Sequence, residues 1–484
     1  KVQDFKYIFI LAILLLFLPG SLISLSTKFQ GFLGDMNKVR FGLPYLPIYI
    51  QTFGLSLLLS VLIISSYFIG FYLNEDAAGG GKIDLYDHEF NNIHLFANSK
   101  LSLAVIDLEY KSSRTPLYLI INKFNPFTTN IEEFRISYLF FATTIPILFF
   151  IFLIKNFKSN NLNILIFLSC ILILSPYFRT SAFWANQENV AIFFLLLTLI
   201  TATDLSKLSY KNNNKKYYFF AILTAFLSFL SFYSDQKFIF LSIFVYFSLI
   251  FKNDLKFFFL YSLVFFIFTI PALYLFYVWG GIVPIESQFR IVFSFSSLNF
   301  LLSGIGIYFL PIFIVLLLEK KIKSVFSNLN LFDLIIFFII SIVSFFTLST
   351  SPKFDGVGIV FKFFSLAAYK FNINWNLTLF IYYFTNLFFL LLILAFFNKN
   401  FKNYIFLIIF VLIYSFAGFA YQSYVDPLFF LLVFCYFNFV DQIKIINVKY
   451  IVAYFLFYFF MLFSSVLYRS VCSMYFSRTA CIVQ

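Results

Sequence analysis

Long apolar runs alternate with short polar connections along almost the whole chain. About fourteen of these runs are long enough, or nearly so, to cross a hydrocarbon layer of about 30 Å. The runs are continuously apolar instead of alternating residue by residue, which favours membrane helices over a barrel. The predicted spans are 8–27, 48–73, 136–154, 162–178, 189–203, 217–233, 238–251, 257–279, 299–318, 331–350, 376–397, 404–420, 426–440 and 448–468.

One connection, residues 74–135, is large enough to form surface structure of its own. Apolar residues recur there at helical spacing, with polar residues largely elsewhere on the wheel, which predicts an amphipathic helix at the membrane interface through Tyr86, Phe90, Ile93 and Phe96. A second helix is predicted at "TPLYLIINKF", where Thr115 can cap and Pro116 suits the first helical position. The expected fold class is all-α. It is a polytopic transmembrane protein of about 12–14 spans, in a single domain (1–484) without a separate soluble domain.

Composition and charge agree with this architecture. Hydrophobic residues make up 62% of the chain and charged residues 11%, against about 45–50% and 25% in soluble domains. One set of alternating loops holds 18 of the 34 Lys and Arg residues, the opposite short loops and termini hold 10, and the 74–135 loop holds 6. The positive-inside rule therefore makes the first set cytoplasmic and the 74–135 loop, with its nine carboxylates, external. The net charge of +13 follows from this topology and does not indicate nucleic-acid binding.

The stretch "NEDAAGGGKIDLYDHE" (74–89) is the most polar part of the chain and follows directly on an apolar run. It is not a P-loop, because Asp76 stands where that motif needs its first Gly and Ile83 where it needs Ser or Thr. "HEFNNIH" is not a zinc motif, because His88 and His94 are six residues apart instead of four. The glycines allow tight turns and close approach of a substrate.

Carboxylates at this position suggest chemistry at the membrane surface. Glu75 and Asp76 lie just beyond the hydrocarbon boundary, where partial desolvation raises a carboxyl pKa and suits a general base toward a hydroxyl acceptor. The alternative is that both are only the solvated end of a helix. A further cluster within the next thirteen residues favours function: Asp84, Asp87, His88 and Glu89. All four are candidates for substrate binding. Asp84, Asp87 and Glu89 either bind a divalent cation or only solvate the loop, so metal dependence stays open and no cofactor is assigned.

The chain resembles the GT-C glycosyltransferases, polytopic enzymes that use polyprenyl-phosphate sugars. The resemblance lies in the long first outer loop with an acidic residue right after an early span, and in the segments "SPYFRTSAFWANQENVAIFFLLLTL" (175–199), "FYSDQKFIFLSIF" (232–244) and "YQSYVDPLFFLL" (421–432). It implies an inverting transfer of a hexose from a polyprenyl-phosphate donor to a hydroxyl of a glycan, lipid or protein. The implied location is a bacterial inner membrane, with the active site on the periplasmic side.

The same resemblance suggests roles for individual residues. Asp76 matches the loop carboxylate of the family and would deprotonate the acceptor, with Glu75 as its competitor. The leaving phosphate needs cations, for which the outward candidates are Arg179, Lys237, Arg290 and Lys353, the first two favoured. For each cation, interfacial anchoring is the alternative. Polar and aromatic side chains in the similar segments are expected to bind substrate: Trp184, Asn186, Gln187, Glu188, Asp235, Gln236, Gln422, Tyr424 and Asp426.

Two readings of individual features stay open. Asp426 either binds substrate at the membrane edge or caps a helix before Pro427. The stretch 351–375 is long enough to form an outer lid.

A transporter or flippase of lipid-linked sugars is the alternative function, and it predicts ionisable residues near the middle of spans and a repeated half-structure. The charges of this chain gather instead at the outer edge, and no internal repeat is evident, which favours surface chemistry.

Overall fold

The structure is a computed structural model that describes residues 48–107, 110, 116–157, 162–208, 214–250, 255–284, 295–327, 329–348, 358–397, 401–414, 422–437 and 447–475. The chain divides into two compact units, Lys1–Gly54 and Leu55–Gln484. Within the described residues every regular element is a helix. The predicted span 8–27 lies outside the described residues.

The helices are numbered here in chain order. The first eight are α1 (Ile48–Tyr72), α2 (Phe90–Asn98), α3 (Leu101–Ala104), α4 (Pro116–Lys123), α5 (Ile131–Asn156), α6 (Leu162–Ile171), α7 (Pro176–Phe183) and α8 (Glu188–Ser206). The next six are α9 (Asn214–Ser234), α10 (Ile239–Ile250), α11 (Leu255–Trp279), α12 (Leu298–Gly306), α13 (Leu310–Leu318) and α14 (Ile322–Phe326). The last six are α15 (Leu331–Leu348), α16 (Gly358–Phe371), α17 (Trp375–Phe396), α18 (Phe401–Tyr414), α19 (Leu428–Cys435) and α20 (Val448–Tyr475).

Nine helices in the described part of the chain are long and apolar enough to cross a membrane. A polytopic helical membrane protein is therefore confirmed. The nine are Leu55–Tyr72, Ile131–Asn156, Glu188–Ser206, Lys215–Ser234, Phe257–Trp279, Leu298–Leu318, Leu331–Leu348, Trp375–Phe396 and Val448–Tyr468. Each coincides with a predicted span, because runs of this length and hydropathy satisfy their backbone hydrogen bonds in lipid only as helices.

The remaining predicted spans differ from simple crossings. The run predicted as 162–178 breaks at Ser175 into two helical pieces at an angle of 70°, where Pro176 starts the new helix α7. Three predicted spans form shorter apolar helices, Gln236–Leu249, Phe401–Tyr414 and Gln422–Cys435. A 14-residue α-helix reaches only about 21 Å at 1.5 Å per residue. These pieces by themselves are too short for a full crossing.

Helix ends that were predicted to be cytoplasmic are joined in pairs. Lys155 at the end of α5 forms an ion pair of 2.7 Å with Asp204 at the end of α8. Glu319, just after α13, pairs at 2.7 Å with Lys449 at the start of α20. Each contact joins two helix ends that the charge pattern assigns to the same side of the membrane.

The first loop contains helices at both predicted places. The chain is helical from Gly81 to Asn98, through a short α turn, a π-helical turn (Asp84–Glu89) and α2. Ile93 and Phe96 are buried, as the spacing predicts, whereas Tyr86 of the same predicted face is 41% exposed. The second helix, α4, begins at Pro116 as predicted. In contrast, the stretch expected as an outer lid contains the 14-residue helix α16.

Candidate functional site

The 74–81 loop is held against the short helix α7 by a buried ion pair. Arg179 of α7 donates from Nε and Nη2 to the two carboxylate oxygens of Glu75, at 2.7 and 2.6 Å. The Arg179 side chain is only 2% exposed, and Nη2 also donates to the backbone carbonyl of Ser66 in α1 at 2.7 Å. A carboxylate and a guanidinium in this two-bond geometry orient each other rigidly. Glu75 therefore fixes the loop in place.

Two further hydrogen bonds fasten the same loop. The indole Nε1 of Trp184 donates to the carbonyl of Glu75 at 2.9 Å, and the backbone N–H of Ala78 donates to Thr180 Oγ1 at 3.0 Å. Gly81 packs so closely that an added Cβ would lie 2.5 Å from Thr180 Cγ2 and 2.9 Å from Trp184 Cδ1. The glycines were predicted to allow close approach of a substrate, but at Gly81 the approaching groups are side chains of the protein itself.

Asp76 is the second carboxylate of the 74–81 loop. Its two oxygens accept backbone N–H groups of Gly81 and Lys82 at 3.3 and 3.4 Å, at the start of the helical segment Gly81–Asn98. The side chain is half-buried. Backbone N–H donors at a helix start fix the direction of the carboxylate. Asp76 is thus a partly exposed, oriented carboxylate next to an immobilised loop.

Trp184 is buried, with 1% of its surface exposed. The guanidinium carbon of Arg135 lies 3.9 Å from the centre of a Trp184 ring, and Arg135 Nε donates to the carbonyl of Phe183 at 2.9 Å. Trp184 thus supports the loop instead of offering an open ring face to a sugar. Sequence reasoning missed Arg135, although a basic residue at the start of an apolar span was a usable signal.

A second charged cluster surrounds Lys237. Its ammonium lies 2.9 Å from Glu188 Oε1, 3.4 Å from Asp235 Oδ2 and 4.9 Å from the centre of the Tyr424 ring. Burial alone would lower the pKa of the Lys237 ammonium, but the two carboxylates more than reverse this and raise that pKa. Lys237 is therefore a permanently charged cation that is already neutralised. Gln236 is half-buried in the same turn.

The turn between α7 and α8, together with the first turn of α8, contains three buried acceptor atoms. The side-chain oxygens of Asn186, Gln187 and Asn189 have no hydrogen-bond partner among the described residues. The orientation of Asn189 is set by its amide nitrogen, which donates to the carbonyl of Phe178 at 3.2 Å. Buried acceptors without partners are uncommon in proteins and call for a donor, either water or a ligand.

Asp426 is a buried carboxylate, 2% exposed, that joins several helices. Its oxygens accept from Ser175 Oγ at 2.5 Å and from the Tyr458 hydroxyl at 2.7 Å. Gln422, also predicted, donates to the Tyr308 hydroxyl and accepts from the backbone N–H of Ile359, both at 3.3 Å. Helix α19 begins at Leu428, and the side chain of Asp426 is directed to other helices instead of capping it.

The predicted residues of the π-helical turn differ in their exposure. Asp87 and His88 are exposed and Asp84 is half-buried on the π-helical turn, whereas Glu89 is fully buried and accepts from the Tyr118 hydroxyl at 3.0 Å. The described residues contain no group of three or more His, Cys, Asp or Glu side chains that could hold a metal ion. Lys353 and Arg290 lie outside the described residues.

Helix α7 is the element that these clusters share. Ser175 at its N-terminus contacts Asp426, Arg179 contacts Glu75, and Ser181 donates to Glu188 Oε2 at 3.4 Å. The arrangement supplies an oriented carboxylate that can accept a proton and buried acceptors that can bind hydroxyl groups. Searches of protein-family models, curated proteins and solved structures return no match to this chain.

Proposed function

We propose that this protein is an inverting membrane glycosyltransferase. It moves a hexose from a polyprenyl-phosphate donor to a hydroxyl of a glycan, lipid or protein at the outer, periplasmic or lumenal, face. The observation that carries the proposal is Asp76, a half-buried carboxylate oriented by Gly81 and Lys82 on a loop that is fixed against the membrane helices. A base at the end of a span lies at about the same depth in the membrane as the phosphate group of a lipid-linked substrate.

In this proposal the two loop carboxylates have different roles. Asp76 accepts the proton of the acceptor hydroxyl as that oxygen attacks the anomeric carbon. Glu75 is a positioning residue, because both of its oxygens are bound by Arg179. Arg179 in turn acts through Glu75 instead of binding the leaving phosphate.

The leaving phosphate requires a cation that is accessible from outside. Among the favoured cations, Arg179 and Lys237 are both neutralised by carboxylates. Lys82 is exposed, and its backbone N–H donates to the carboxylate of Asp76. Its ammonium lies 5.9 Å from the centre of a Trp184 ring. We therefore assign the phosphate to Lys82, with Lys353 as a second candidate from sequence.

The hexose would be bound at the start of α8. Hydroxyl groups can satisfy the three acceptor oxygens of Asn186, Gln187 and Asn189, which have no partner within the described residues. A metal cation fits poorly there, because the N-terminus of a helix carries a partial positive charge. Neutral hydroxyl donors therefore suit this turn better.

Sugar transfer in membrane vesicles tests the proposal. The vesicles are supplied with radiolabelled polyprenyl-phosphate hexoses, and transfer to endogenous acceptors is followed. Asp76→Asn should lower the rate by at least about 100-fold, with insertion and thermal stability unchanged. Glu133→Gln is the control, since Glu133 is an exposed carboxylate in the first turn of α5. Transfer at the full rate by Asp76→Asn would contradict the assignment of the base.

One observation favours the alternative of a transporter. Asp426 contacts Tyr458 and Tyr308, the central residues of the spans Val448–Tyr468 and Leu298–Leu318. An ionisable residue beside the middle of spans, next to a broken helix, is a feature of transporters. Movement of labelled lipid between leaflets, without sugar transfer for any donor, would favour this function over the first.

A further inference from the structure

We infer that Asp426 is a positioning residue that sets the geometry of the 74–81 loop through helix α7. Sequence similarity pointed to substrate binding, but its contacts lie inside the protein. The inference rests on the proposed function only for its activity measurement, because the loop geometry can be measured independently of any reaction.

Asp426 collects hydrogen-bond donors from three separate parts of the fold. The hydroxyl of Ser175 and the backbone N–H of Tyr177 belong to the start of α7. The hydroxyl of Tyr458 comes from α20, and that of Tyr308 from the turn between α12 and α13. The carboxylate thereby joins α7 to the middle of two spans.

Ser175 transmits this contact into α7. Its Oγ donates to Asp426 and also accepts the backbone N–H of Phe178 at 3.0 Å, which caps the helix. Arg179 follows one turn later, about 6 Å along the axis at 1.5 Å per residue. A single rigid turn therefore separates the Asp426 contact from the ion pair with Glu75.

A carboxylate suits this place better than a neutral side chain. An ionised carboxylate has only acceptors and about four lone-pair sites, which matches four surrounding donors. Asparagine would direct two N–H donors toward groups that themselves donate. Part of the network would then lose its partners, and α7 would be free to shift away from the loop.

Trp184 provides a direct measure of the loop's position. It is buried, its indole N–H is bonded to the carbonyl of Glu75, and the chain has only three tryptophans. In a Trp279→Phe, Trp375→Phe background, its fluorescence reports whether the loop stays docked. We expect Asp426→Asn to shift the emission to the red and to increase quenching by acrylamide.

The matched control is Asp333→Asn. Asp333 is likewise 2% exposed and accepts from a tyrosine, Tyr404, but it joins the start of α15 to α18 and not to α7. This control should leave the Trp184 emission unchanged. Ser175→Ala removes the side-chain bond between α7 and Asp426 and leaves the Tyr177 N–H and the tyrosine donors in place. It should reproduce the shift even where Asp426→Asn folds poorly.

The activity measurement separates positioning from substrate contact. A positioning role predicts that Asp426→Asn and Ser175→Ala lower kcat by about 100-fold with KM little changed, and that the double variant is no worse than the more affected single one. An unchanged Trp184 emission in both single variants overturns the inference. If emission is unchanged while KM rises, Asp426 contacts substrate directly. A red shift in a protein that shows no transfer with any donor would support the positioning role and reject the proposed function.

Discussion

Two of the polar clusters among the described residues differ in charge. The cluster around α7 includes charged residues: Glu75, Arg179, Glu188, Asp235, Lys237 and Asp426. Between α12, α15 and α17 the polar residues are neutral: Asn299, Ser303, Ser344, Thr347, Tyr382 and Asn386. Neutral side chains are enough to join helices in a membrane. Charges cost far more to bury, so their concentration at α7 indicates a functional requirement.

The neutral cluster shows what helix association alone requires. Asn299 donates to the carbonyl of Ser344 at 3.0 Å and accepts from Asn386 Nδ2 at 3.1 Å, and its carbonyl accepts from the Tyr382 hydroxyl at 3.0 Å. These bonds connect three helices and involve no ionised group. The variants proposed below in either cluster should disrupt that cluster and leave the hydrogen bonds of the other intact.

Removal of Arg179 should have the largest effect. Arg179→Gln leaves the partly buried carboxylate of Glu75 without its cation, and breaking such a pair costs about 3–5 kcal/mol. We expect a lower thermal unfolding temperature in detergent and loss of transfer. The double variant Glu75→Gln, Arg179→Gln should recover much of the stability but not the activity. Equal stability of the single and double variants would show that the pair is not energetically coupled.

Two glycines make a matched comparison of the clusters. An added Cβ at Gly70 would overlap Arg179 Nη2 and Glu75 Oε2, whereas at Gly306 it would overlap the side chain of Phe389. Overpacking of this kind costs about 1–3 kcal/mol in either place. Gly70→Ala should also abolish most transfer, and Gly306→Ala should not. Comparable activity of the two variants at matched expression would contradict the claim that transfer depends on the α7 cluster and not on the neutral one.

The long apolar helices were predictable from sequence, and the α7 clusters were only partly so. Continuous hydropathy predicts α5 and α17, and the preference of Pro for the first helical position predicts the start of α4. Both signals are local in the sequence. The pairing of Glu75 with Arg179 joins residues 104 positions apart, which hydropathy does not encode. The same holds for the burial of Glu89. Its place on the polar side of the wheel predicted exposure, but a tertiary contact with Tyr118 overrides that pattern.

Weakening the neutral cluster should have a smaller effect. Asn386→Leu removes the bond to Asn299 Oδ1 and keeps the number and branching of the side-chain heavy atoms. Hydrogen bonds between membrane helices contribute about 0.6 kcal/mol on average. We therefore expect a small fall in the unfolding temperature and an unchanged rate of transfer. A loss of transfer at near-normal stability would place this cluster in the functional site, contrary to the comparison.

The smallest effect is expected at Glu319, outside both clusters. The ammonium groups of Lys449 and Lys321 donate to this carboxylate and hold its pKa below the ordinary value. Since the folded pKa is lowered, the stabilisation is present above the ordinary carboxyl pKa of about 4.3. It is lost as the pH falls through the lowered value.

Glu319→Gln should therefore lower stability at neutral pH by about 0.2–1 kcal/mol, the range of exposed ion pairs. High salt should reduce this difference, because it screens exposed charges. Arg179→Gln should keep most of its effect in high salt, because the pair with Glu75 is shielded from solvent. Unfolding temperatures of both variants at low and high salt measure this contrast. An equal salt dependence would mean that the ion pair at α7 is as solvated as a surface contact, and that burial of charge does not distinguish the α7 region.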